Sequence, residues 1–131
     1  MYLSRIRLNV TCTASGATVD SEPIQSGLLY AIRYTRASAS GYATGATCDF
    51  TAVALASAPD IAVTHDLLKF TGTSASQILY PRREMQTTAG ASAGAMGGAM
   101  IPLVGDRIRV TIGTGGASGK GTFDVLIDGM I

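Results

Sequence analysis

The sequence predicts an all-β domain, an antiparallel β-sandwich or barrel-like body of about seven or eight short strands. Three observations carry that expectation. Apolar and polar residues alternate with a period of two wherever the chain shows any period. Clusters of Gly, Pro, Ser and Asp interrupt the alternating runs at strand-length spacing. No stretch of helical length repeats apolar residues at helical spacing between recognisable caps.

The first strand is set by Ile6, Leu8, Val10 and Cys12, which alternate with Arg5, Arg7, Asn9 and Thr11. A second run places Leu28, Tyr30, Ile32 and Tyr34 on one face, against Leu29, Ala31, Arg33 and Thr35 on the other. After a turn-rich break at 41–45, Cys48-Asp49-Phe50-Thr51-Ala52-Val53 forms a third. Ile61, Val63 and His65 predict a short strand after Pro59-Asp60, and Leu67-Leu68-Lys69-Phe70 predicts another. Gln77-Ile78-Leu79-Tyr80 is stopped by Pro81, whose ring removes a ladder donor.

The last two strands are the clearest. Ile108, Val110 and Ile112 alternate with Arg107, Arg109 and Thr111, and Phe123, Val125 and Ile127 alternate with Asp124, Leu126 and Asp128. Paired as a hairpin, they would set Arg107 and Arg109 near Asp128 and Asp124 on the outer side. The Gly-rich connection 113–121 is too long for a tight turn and is expected to project as a mobile loop. One segment has no period at all: 87–100, TTAGASAGAMGGAM, reads as an extended arm on a single domain spanning 1–131.

Composition narrows the function classes. Ten Lys and Arg stand against nine Asp and Glu, a net charge of +1, so the strongly basic balance of a nucleic-acid binder is missing. No apolar window reaches the length of a spanning helix, and the amino-terminal residues have polar side chains at every second place, unlike a signal peptide. No nucleic-acid or membrane partner is therefore expected. Cys12 and Cys48 lie in alternating runs and read as small buried thiols, with a bridge between them left open.

Chemistry-bearing motifs are sparse. His65-Asp66 is the one place where a His sits beside an acid, and its phase with Ile61 and Val63 favours a strand-end histidine over a general base. Gly119-Lys120-Gly121-Thr122 departs from a phosphate loop at Thr114 and Gly121 and leads into a strand instead of a helix. The aspartates are scattered, without calcium-loop spacing, and the absence of Trp leaves no sugar platform. No catalytic, metal or cofactor residues are assigned, and an enzyme is not expected.

Two features point to contact. Arg82-Arg83-Glu84 is the densest charge cluster, and its arginines read either as a solvated turn or as forked donors for an acidic partner surface. The arm carries Met96 and Met100, flexible apolar fillers among Gly and Ala that permit close backbone approach. Arg82, Arg83, Met96 and Met100 are the candidate interaction residues.

Four segments carry a family resemblance: GLLYAIRY (27–34), CDFTAVAL (48–55), ILYPRREMQTTAGA (78–91) and IPLVGDRIRVTIGTGGASGKGTFDVLIDG (101–129). Together they resemble a group of small structural proteins encoded by tailed bacteriophages and prophages. The resemblance implies a virion component and, within it, a capsid decoration (cement) protein on the capsid exterior, a class whose members are often β-rich trimers. The expected partners are the major capsid protein and other copies of the chain as a homotrimer. Head-completion, connector or tail-associated roles in the same virion, and a host-surface glycan-binding module, remain the alternatives.

Overall fold

The computed structural model describes residues 2–54, 64–71, 73, 75–84 and 98–129. No helix occurs among them. The strands are β1 (Leu3–Thr11), β2 (Ala17–Asp20), β3 (Ile24–Arg36), β4 (Thr47–Ala54), β5 (Thr64–Phe70), β6 (Gln77–Leu79), β7 (Arg83–Glu84), β8 (Gly98–Ala99), β9 (Ile101–Gly113) and β10 (Lys120–Asp128). The expected all-β class is therefore what the chain adopts.

One antiparallel sheet runs β1-β10-β3-β9-β4-β5, with β2 added on β9 and β6 on β3, while β7 and β8 pair separately. The sheet ends at β1 and β5 and does not close into a barrel. It folds over as a sandwich-like body instead. β10 and β4 are not hydrogen-bonded neighbours, yet Phe123 and Phe50 meet edge to face with ring centroids 5.2 Å apart.

The fold-over is made at Gly105. From Ile101 to Asp106 strand β9 pairs with β3, and from Asp106 to Gly113 it pairs with β4. Gly105 sits at φ +67, where a residue with a Cβ is strained, and the Val104 N–H donates to Asp106 Oδ2 at 3.0 Å across the corner. Beyond the corner, β2 takes the edge that β3 has left. Buried Ser21 bridges the gap between β2 and β3. Its N–H donates to the Ile108 carbonyl and its Oγ accepts from the Ile108 N–H, both at 2.9 Å. A side-chain oxygen thus replaces a ladder carbonyl just before Pro23, which has no N–H to give.

Alternation places the core. Leu8 and Val10 of β1, Phe123, Val125 and Ile127 of β10, and Ile32 and Tyr34 of β3 line one inner face. Ile108, Val110 and Ile112 of β9 meet Cys48, Phe50 and Ala52 of β4 on the other. At ~25 cal/mol per Å2 of apolar area, these buried side chains dominate the favourable side of folding.

Three sequence expectations are corrected. The phase read through β3 breaks at Tyr30, because Ile127 pairs with Leu29 while Val125 pairs with Ile32, leaving an extra β3 residue as a bulge. Leu29 is therefore buried and Leu28 exposed, the reverse of the expected phase. β9 and β10 do not form a hairpin: β10 lies between β1 and β3, and β9 between β3 or β2 and β4. The connection between them must arch from one layer to the other, so it packs down instead of projecting. Its backbone bonds include Cys12 N–H to Gly119 O, Ala43 N–H to Gly115 O and Lys120 N–H to Ser40 O, at 2.7–2.8 Å. The short strand expected at Ile61 and Val63 lies outside the described residues, and His65 belongs to β5.

Candidate functional site

The register places four residues in a row across the outer side of one layer: Arg7 on β1, Asp124 on β10, Arg33 on β3 and Ile78 on β6. Asp124 is buried, and its carboxylate is held from both sides. Arg7 Nε donates to Oδ1 at 2.9 Å, and Arg33 Nη2 donates to Oδ2 at 3.1 Å. The Arg7 bond above all, against the opposing effect of burial, holds this carboxyl below its ordinary range. The partners expected for Asp124, Arg107 and Arg109, belong to the other layer, where Arg109 pairs with Asp20 at 2.8 Å.

A second row on the same side runs Leu3, Asp128, Leu28 and Pro102. Val104 stands one outward position beyond Pro102, opposite Ser26, and Tyr80 one beyond Ile78. Among the described residues the exposed large apolar side chains are Tyr2, Leu3, Leu28, Ile78, Tyr80 and Val104. All but Tyr2 share this outer face. Tyr80 is 54% and Val104 72% exposed, so the apolar surface is open to a partner.

Arg82 ties the β6 edge of the face to β3. Its Nη1 donates to the carbonyls of Tyr30 and Pro81, each at 2.7 Å. Its guanidinium carbon lies 5.6 Å from the Tyr30 ring centroid and 5.8 Å from that of Tyr80. The two rings meet edge to face at 6.0 Å. Cation–π contacts at such exposed places contribute about 0.5–1 kcal/mol each, enough to fix the two rings as a raised platform. The β3 bulge makes this possible by turning the extra residue, Tyr30, toward Tyr80.

The other candidate residues fall differently. Arg83 is a residue of β7, opposite Ala99 of β8. Met96 lies outside the described residues, as does most of the candidate arm. The final part of that arm belongs to the body, because Gly98–Ala99 pairs with β7 and half-buried Met100 leads into β9. His65 and Asp66 are exposed on β5, and among the described residues no three His, Cys, Asp or Glu side chains gather as a metal-binding group.

The opposite outer face differs in kind. Its rows are Thr18, Thr111, Asp49 and Lys69, then Asp20, Arg109, Thr51 and Asp66. Sequence reasoning found the alternation on both faces but not this asymmetry, since strand order decides which outward residues become neighbours. The Tyr30–Arg82–Tyr80 cluster was missed because the bulge that builds it leaves no mark in the alternation.

Comparison with protein-family models, with curated proteins and with solved structures finds no match to the chain.

Proposed function

We propose that the chain is a structural protein of a tailed-phage virion, a decoration protein that docks on the outside of the head shell and stabilises it. The observation that carries this reading is the gathering of the exposed large apolar side chains Leu3, Leu28, Ile78, Tyr80 and Val104 on the outer face that holds the Arg82 clamp, whereas among the described residues the opposite outer face shows none. A rigid sheet with such a face needs no pocket. Shape match and repetition over many equivalent shell positions turn modest contacts into stable attachment. The likeness of the segments at 27–34, 48–55, 78–91 and 101–129 to phage structural proteins supports the same reading. In it the partners are the major capsid protein and further copies of the chain as a homotrimer, and the chain has no catalytic task.

Electron cryo-microscopy of the virus that encodes the chain tests this directly. Density for the protein repeating over the shell exterior is expected. Density confined to one vertex or to the tail would replace decoration with a connector or tail role, and absence from the particle would end the virion reading. Ile78→Asp and Val104→Asp should each reduce occupancy on the shell, whereas Thr18→Asp on the opposite face should not.

A further inference from the structure

At the end of the same outer face remote from Leu28, the sheet forms an open recess of about 360 Å3. Its polar lining comes from Asn9 and Thr11 of β1, Thr35 and Arg36 of β3, and Lys120 and Thr122 of β10. No carboxylate lines it. Thr122 Oγ1 donates to Asn9 Oδ1 at 2.9 Å, which spends the amide oxygen and leaves its N–H groups as donors. Arg7, Arg33 and Arg109 are engaged by Asp124 and Asp20, whereas Arg36 and Lys120 make no ion pair among the described residues.

The charge of the whole face points the same way. Arg5, Arg7, Arg33, Arg82 and Lys120 belong to it, against Asp124 and Asp128, and Arg36 lies at the end of β3 beside the recess. Among the described residues, cations therefore outnumber carboxylates on this face. The other outer face is balanced, with Asp20, Asp49 and Asp66 against Arg107, Arg109 and Lys69. A second copy docked face to face would oppose these cations to themselves, and Asp124 is already bonded to two of them.

We infer that the recess binds carboxylate side chains of an acidic segment on a partner protein, whose apolar residues lie against Ile78 and Tyr80. Lys120 supplies the charge on the outer side, Arg36 adds to it from the end of β3, and Thr11, Thr35, Thr122 and Asn9 supply neutral donors around them. The inference rests on reading this face as a docking surface and names the chemistry of what docks.

The test is titration of isotopically labelled protein with capped tetraglutamate, followed by amide chemical shifts, with capped tetraserine and inorganic phosphate as controls. Saturable shifts are expected at Thr11, Thr35, Lys120 and Thr122, absent with tetraserine. The Arg36→Gln/Lys120→Gln variant should keep the remaining spectrum and bind about tenfold more weakly or worse. Shifts centred on Arg107 and Arg109, unchanged affinity in the variant, or phosphate binding as tightly as tetraglutamate would overturn the inference. Shell decoration without tetraglutamate binding would remove the recess alone, and tetraglutamate binding by a chain absent from the shell would remove the decoration reading alone.

Discussion

The ring of Tyr42 occupies the space that a side chain on Gly121 would need. A Cβ placed on Gly121 would lie 2.6 Å from Tyr42 Cε2 and 2.8 Å from Tyr34 Cε1, and both rings are buried in the core. The Tyr42 hydroxyl reaches past this contact to donate to the Val10 carbonyl at 2.8 Å. One tyrosine from the loop before β4 thus seals the end of the sandwich where β1, β3 and β10 meet. Gly121→Ala should lower stability by about 1–3 kcal/mol, because two packed rings must move. Tyr42→Phe keeps the ring and should lose only about 0.5–1.5 kcal/mol. Urea unfolding of the two variants checks the order, and a neutral Gly121→Ala would show that the rings yield freely.

Asp124 makes stability depend on acid. Its carboxyl titrates below the ordinary value in the folded chain, chiefly because Arg7 bonds the charged form. The unfolded chain therefore takes up this proton first as pH falls. The stabilisation is present above the ordinary carboxylate pKa of about 3.9 and is lost as pH drops through the lower folded value. Asp124→Asn should cost about 1–2 kcal/mol near neutral pH, a modest figure because both arginines are half exposed. The gap between wild type and variant in urea midpoint should close as pH falls through that window, and a gap independent of pH would refute the assignment.

Both thiols should be silent in the folded protein. Cys12 and Cys48 are buried and unbridged, burial raises both pKa values, and that of Cys48 is pushed up to about 12. Reaction needs the thiolate, so at mildly alkaline pH neither should react with a thiol-specific reagent until the chain unfolds. Two thiols per chain should then appear together in denaturant. Rapid native labelling at Cys48 would contradict its placement on the inner face of β4.

What could be read from the chain in advance follows from the range of each signal. Alternation is local, so the inward phase of Ile108, Val110 and Ile112, and of Phe123, Val125 and Ile127, was legible. Pairing is not local. Arg109 was expected beside an aspartate and is, but the aspartate is Asp20, brought in by the short strand β2 that runs along β9. The exposed apolar face was illegible for a related reason: Leu28, Ile78 and Val104 come from three strands and become one surface only through the order of the sheet. Arg82 was singled out from charge density alone. That its guanidinium lies over Tyr30 required the bulge in β3, which moves one residue without altering the composition of the run.

The β9 phase can be tested by adjacent substitutions. Val110 is fully buried, with Phe50 on one flanking strand and Val19 on the other. Thr111 is exposed between Asp49 and Thr18. Val110→Asp places an unpaired carboxylate among apolar side chains, a cost of several kcal/mol that a domain of this size cannot absorb. Thr111→Lys places a cation opposite Asp49 and should leave stability within about 0.5 kcal/mol of wild type. Circular dichroism with urea titration separates the two outcomes. A folded Val110→Asp protein, or an unfolded Thr111→Lys protein, would mean that β9 beyond the Gly105 corner presents its other side to the core.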